Sequence, residues 1–203
     1  MKKFRVSYQH RFGPIAVLFL LVTGISLLTR IILLVKSWPN LDHNPIYLVG
    51  IFIIGFLYDI VVWSFFAIPV ALYCWLMKDS WYRKSVQRLP LFLLFFIIIF
   101  ILVLNAGGEI IFWDEFSVRY NFIAVDYLIY TTEVLGNIWE SYNIPLIATA
   151  VILATATILF LIRKKITASQ NTCMRFAKRS LFFLLFMLVP LAAYFLVSNR
   201  FKN

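Results

Sequence analysis

Polar chemistry is scarce in this sequence. Only 14% of its 203 residues are charged, where about a quarter is usual for a soluble domain. There are two cysteines, Cys74 and Cys173, and both fall at span ends or loops assigned below to the cytoplasm. That compartment is reducing, so a disulfide framework is excluded. The two histidines, His10 and His43, lie on opposite sides by the same topology. Neither has a second ligand at a workable spacing, so both read as surface residues and no metal site is expected. No internal repeat, low-complexity tract or glycine-serine linker interrupts the chain. No catalytic constellation stands out.

What remains is apolar. The hydrophobic fraction is 63%, with 21 Phe, ten Tyr and six Trp. A soluble fold of this length cannot hide so much apolar surface, and lipid is the natural solvent for most of the chain. The aromatics suit interfacial belts. The net charge of +10 does not indicate nucleic acid. The basic residues sit in short clusters between apolar runs, and a nucleic-acid reader needs a continuous stripe.

Five apolar runs are expected to span: about 13–35, 46–77, 90–113, 144–162 and 181–197. The first is too long for a signal-peptide core and reads as an uncleaved signal-anchor. The second has 32 residues, about 48 Å as a helix. It must tilt, emerge or kink, with Pro69 the kink site. The loops set orientation. Lys and Arg cluster at the amino terminus and in 78–89 and 163–179, whereas 37–45 has none and 114–143 has only Arg119. The positive-inside rule then places the amino terminus in the cytoplasm and the carboxy terminus outside. The expected fold is an all-α membrane protein forming a single multi-pass domain over residues 1–203.

The segment 114–143 is too charged to span and too apolar to float. At 100° per residue, Asp126, Glu133, Asn137 and Glu140 fall within about 60° of one helix face. An amphipathic interfacial helix on the outer leaflet is the simplest structure, which Gly136 would weaken or bend. Its acidic row either faces water, or faces a soluble domain and helps to shape a headgroup site. As direct phosphate binders these carboxylates are poor, because they repel phosphate unless a cation or basic group intervenes.

Three pieces of this region carry a resemblance: Trp-Asp-Glu-Phe at 113–116, Arg-Tyr-Asn-Phe-Ile-Ala-Val-Asp-Tyr-Leu at 119–128, and Tyr-Thr-Thr-Glu-Val-Leu-Gly-Asn-Ile-Trp-Glu-Ser-Tyr at 130–142. Together they resemble the membrane domain of lipoteichoic acid synthase-like proteins, and more narrowly the sulfatase-family members of Gram-negative bacteria. The resemblance implies five amino-terminal helices in the cytoplasmic (inner) membrane, followed by an extracytoplasmic domain of the alkaline phosphatase superfamily beyond Asn203. There, a threonine nucleophile and a divalent metal, Mn or Zn, would move a phosphoglycerol or similar headgroup from a donor phospholipid. This chain itself would carry no cofactor. Its partners would be the bilayer, the donor phospholipid and its own carboxy-terminal domain. Thr131 and Thr132 lack a neighbouring metal cluster and read as helix residues.

Ionisable groups inside a span are costly and therefore informative. Arg30 and Glu109 fall at a similar level near the outer interface. They either pair with each other, or Arg30 faces the headgroup layer, where a guanidinium grips phosphate bidentately. Arg119 is the other cation on that side, and Asp114 and Glu115 flank it as headgroup or domain contacts. Asp59 lies deeper, and is protonated, paired with Tyr or Trp donors, or part of a proton relay. Asn105, Ala106, Gly107 and Gly108 read as a close helix-packing surface.

Two function classes follow. One is the anchor and lipid-presenting half of a headgroup transferase. The other is a standalone membrane subunit or small transporter component without enzymatic activity. Residues 120–141 are expected on the outer surface. Cysteines introduced one at a time, as Asp126→Cys, Glu133→Cys and Glu140→Cys, should react with an impermeant thiol reagent added to intact cells; protection of all three would refute the placement.

Overall fold

The computed structural model describes residues 9–41, 44–120, 136 and 139–200. Five helices in it are long and apolar enough to cross a membrane. They are α1 (Gly13–Ser37), α2 (Pro45–Leu76), α3 (Arg88–Phe116), α4 (Ile144–Thr167) and α5 (Phe176–Arg200). The protein is an all-α membrane protein, and no strand occurs among the described residues.

The helices exceed the expected apolar runs mainly at their basic ends. Helix α4 includes Arg163, Lys164 and Lys165, and α5 includes Lys178 and Arg179. Long basic side chains allow this, because their stems lie along apolar surface while their heads reach water. Starts are encoded locally. Asn44 accepts from Ile46 N at 3.0 Å, and Asn143 accepts from Leu146 N at 3.2 Å. Each cap is followed by a proline in the first turn, where its missing N–H costs nothing. Helix α2 remains helical through Pro69.

Helix α1 packs on α2, α3 and α4, while α5 lies against α2 and α4 against α3. The core is built from Val17, Leu18 and Val22 of α1, Ala67, Val70 and Ala71 of α2, and Phe95, Ile98, Ile99 and Leu102 of α3. Alanines on α2 let its backbone come close, and close packing is the main source of helix association where lipid replaces water.

A polar knot closes the end that carries the amino terminus. Arg11 is fully buried. Its Nε donates to the carbonyl of Cys74 at 2.9 Å, its Nη1 to Asp79 Oδ1 at 2.8 Å and its Nη2 to the carbonyl of Met77. Its guanidinium also lies 3.7 Å over the Tyr82 ring. The last carbonyls of a helix lack internal partners and carry partial negative charge. Arg11 meets both needs for α2, and Arg179 Nη1 donates to the same Met77 carbonyl. Asp79 Oδ2 accepts from Met174 N at 3.2 Å, and the Tyr82 and Ser169 hydroxyls meet at 2.7 Å. Burial pushes Arg11 down from its ordinary value and Tyr82 well up. The phenol is therefore neutral, as an aromatic face under a cation should be. His10 does not sit free on the surface. Its ring lies tilted against that of Phe182, with centroids 5.0 Å apart, and burial lowers its pKa.

Asp79 is the one carboxylate of this knot, shared by two arginines. Asp79→Ala should cost about 3 kcal/mol, the typical loss when a largely buried pair is broken from one side. Denaturant titration of the detergent-solubilised protein reads this directly, and a change under 1 kcal/mol would show the knot to be dispensable.

Candidate functional site: a polar cleft between three helices

Ser26 and Arg30 are four residues apart on α1, so they share a face, as do Gly55 and Asp59 on α2. The two helices run antiparallel through a short connection and bring these faces together. Arg30 Nη2 donates to Asp59 Oδ1 at 3.1 Å, to Oδ2 at 3.3 Å and to Ser26 Oγ at 3.1 Å. The Ser26 hydroxyl donates to Asp59 Oδ1. Gly55 makes the arrangement possible. A Cβ there would collide with the Arg30 guanidinium, which lies directly on the glycine backbone. Arg30 and Asp59 are 5% and 6% exposed, so this is an ion pair held inside the bundle.

A second pair sits beside it. Helix α3 ends at Ser117, whose backbone is left-handed (φ 54°) and turns the chain back along the helix. Arg119 Nε thereby donates to Glu109 Oε1. Glu109 is 6% exposed, whereas the Arg119 side chain is 49% exposed. Tyr120 follows, with its hydroxyl against Gly108, where a Cβ would clash. Burial raises the Tyr120 phenol, and the neighbouring Glu109 charge adds to the rise. At the rim, Lys36 Nζ of α1 donates to Asp114 Oδ2 of α3 at 2.6 Å.

Both pairs line one cleft of about 270 Å³, whose wall also includes Thr29, Tyr58, Asn105 and Ala106. Tyr58 of α2 and Asn105 of α3 are exposed, so the cleft reaches the surface between two helices that touch little. Among the described residues, one buried polar atom in the wall has no hydrogen-bond partner: Nε of Arg30.

Several expectations change. Arg30 does not pair with Glu109. The hairpin delivers Asp59 to it, and the backward turn at Ser117 supplies Glu109 with Arg119 instead. Asp59 is neither isolated nor bonded to Tyr or Trp. The stretch Asn105–Gly108 is not a packing surface: Asn105 and Ala106 line the cleft, Gly108 seats Tyr120, and nothing approaches Gly107. Asp114 is bridged at the rim, while Glu115 and Glu140 are exposed. Asp126, Glu133 and Asn137 lie outside the described residues, and with them the expected acidic row.

Sequence reading missed Ser26, Gly55, Lys36 and Tyr120. For two of them a signal existed. The pairs Ser26–Asp59 and Arg30–Gly55 are both centred on the same point of the connection, between residues 42 and 43. That is the register of contacts in an antiparallel helical hairpin. A divalent metal does not fit the cleft, because each carboxylate already faces a guanidinium. Among the described residues no group of three or more His, Cys, Asp or Glu side chains is placed to hold one. Comparison with protein-family models, curated proteins and solved structures finds no match.

Removing one member of a buried ion pair costs about 3–5 kcal/mol, whereas replacing both by apolar residues is often neutral. Asp59→Asn should therefore destabilise the protein by that order, and Arg30→Met with Asp59→Leu should recover most of the loss. Equal losses in the single and double variants, by the same denaturant titration, would mean the pair does not act as a unit.

Proposed function

We propose that this chain is the membrane anchor and lipid-presenting domain of a sulfatase-family headgroup transferase of phosphoglycerol or phosphoethanolamine type, in a bacterial cytoplasmic membrane. In this reading the basic end of the bundle faces the cytoplasm, and the cleft opens toward the outer leaflet. The observation that carries it is the cleft itself. An apolar bundle has no structural need for two guanidinium–carboxylate pairs around a cavity, since hydrophobic side chains of similar volume would stabilise it as well. Intramembrane charges are retained where something polar must be met. The lateral mouth between Tyr58 and Asn105 suits a ligand that arrives within the bilayer plane.

The resemblance over 113–142 supplies the reaction class. Phosphoryl-centre chemistry would belong to the extracytoplasmic domain that the resemblance implies, with its threonine nucleophile and divalent metal. This chain would bind the donor lipid and hold its headgroup at the membrane surface. The transporter reading has less to stand on, because Asp59 is not a lone carboxylate in the span but is held by Arg30 and Ser26.

In a full-length parent enzyme, Arg30→Ala should lower headgroup release from donor lipid at least tenfold at equal membrane abundance, while hydrolysis of a small soluble phosphodiester stays unchanged. Unaltered turnover of the lipid would leave Arg30 a structural residue and remove the lipid-presenting role.

A further inference from the structure

The charges around the cleft carry information about headgroup identity that the fold does not. Its wall holds two guanidinium groups, from Arg30 and Arg119, and two carboxylates, from Asp59 and Glu109. The sum is zero. A simple anion entering such a site meets as much repulsion as attraction. A group carrying both signs can satisfy both.

The two pairs also differ in how firmly they are made. The Arg30–Asp59 pair is buried on both sides, bridged by Ser26 and locked over Gly55. Its remaining capacity is the rest of the guanidinium fork: Nη1, which makes no hydrogen bond among the described residues, and the buried, partnerless Nε, N–H donors that only an acceptor oxygen can satisfy. Glu109 is buried, but its described partner, Arg119, is half exposed and comes from the chain after the helix. Arg119 can turn to water at little cost, whereas Glu109 left alone cannot. An ammonium group is the natural replacement.

We infer that the cleft is a site for a zwitterionic phosphate–ammonium group, phosphoethanolamine in kind. Its phosphate oxygens take the free N–H donors of the Arg30 guanidinium, and its ammonium replaces Arg119 on Glu109. Asp59 and Ser26 are positioning residues that fix the guanidinium. A cleft of about 270 Å³ is near the lower end of small-molecule sites and suits a headgroup, with acyl chains left in the lateral mouth. This assignment rests on the lipid-presenting reading and narrows it to one of the two headgroup types. The ligand can come from phosphatidylethanolamine or from a free phosphoester of the same chemistry.

The test uses the 203-residue chain in nanodiscs of equal phosphatidylethanolamine and phosphatidylglycerol, with retained lipid counted by native mass spectrometry. Retention of phosphatidylethanolamine over phosphatidylglycerol by about tenfold is expected. Glu109→Gln should bring the ratio to near one while lipid is still retained. Arg30→Lys, which keeps the charge and loses the Nε donor geometry, should lower retention of both. Arg163→Gln, on α4 and remote from the cleft, should change nothing. Because Arg119 is half exposed, Glu109→Gln strands no buried charge, and monodisperse elution verifies its fold. O-phosphoethanolamine should displace the lipid at millimolar concentration while inorganic phosphate does not. If neither displaces it and the preference still depends on Glu109, the source is the lipid. Equal displacement by phosphate, a preference that survives Glu109→Gln, or preferential retention of phosphatidylglycerol would overturn the zwitterion assignment. The last of these leaves the lipid-presenting role standing, whereas no retained lipid of either kind overturns both.

Discussion

Hydrocarbon supplies no hydrogen bonds, and the architecture follows from that constraint. Every charge drawn inside the bundle must find its partner within the protein. Arg30 and Asp59 do so across the α1–α2 hairpin, at 3.1 Å and with Ser26 as a third member. Their pairing fixes the register of the two helices, because a slip by one turn would leave both charges stranded. Lys36–Asp114 then links α1 to α3, and Arg119 folds back to neutralise Glu109. The first contact sets the register of α1 and α2, whereas the last is set locally by the turn at Ser117.

The opposite end obeys the same rule by different means. There the groups without partners are backbone carbonyls at the end of α2, and Arg11 and Arg179 supply the donors. Both arginines lie in a loop or a helix start, outside the apolar runs, and both are buried by the carbonyls they complete. One end of the molecule thus uses charge to finish a helix, and the other uses charge to line a space. The first is explained by the fold alone, and the second is not.

Much of this was legible in the sequence. Five long apolar runs and the basic clusters follow from composition and spacing, and the helices begin or end within a few residues of where hydropathy puts them. Partner identity was not legible in the same way. Arg30 and Glu109 lie at matching depth, and depth alone suggests that they pair. Depth is a one-dimensional coordinate, however, and pairing also depends on which faces meet. The face information was present in the i, i+4 spacing of Ser26 with Arg30 and of Gly55 with Asp59. Read together with the short connection, it would have matched Arg30 to Asp59. The Arg119 contact was less accessible, since it depends on a left-handed residue at Ser117, a conformation that serine adopts uncommonly.

The two glycines separate what the cleft requires from what the bundle requires. Gly24, Gly50 and Gly107 have open space where a side chain would go, so nothing in the packing calls for glycine there. Gly55 and Gly108 differ, because each is filled by a polar group from elsewhere in the chain, the Arg30 guanidinium and the Tyr120 hydroxyl. A glycine inside a helix costs about 1 kcal/mol relative to alanine. At these two positions that cost brings no extra apolar contact between helices. What it secures is the seating of a cation in the cleft wall and of a phenol on the helix beside it. The groups so placed leave Nε of Arg30 buried with no partner among the described residues, and an unsatisfied buried donor carries a penalty of its own. A bundle under selection for stability alone would have removed both costs by placing alanine at Gly55 and a hydrophobic side chain at Arg30. Both costs are what the proposed lipid-presenting role accounts for: on that proposal, the cleft is kept at the expense of stability and its ligand is the group that completes it.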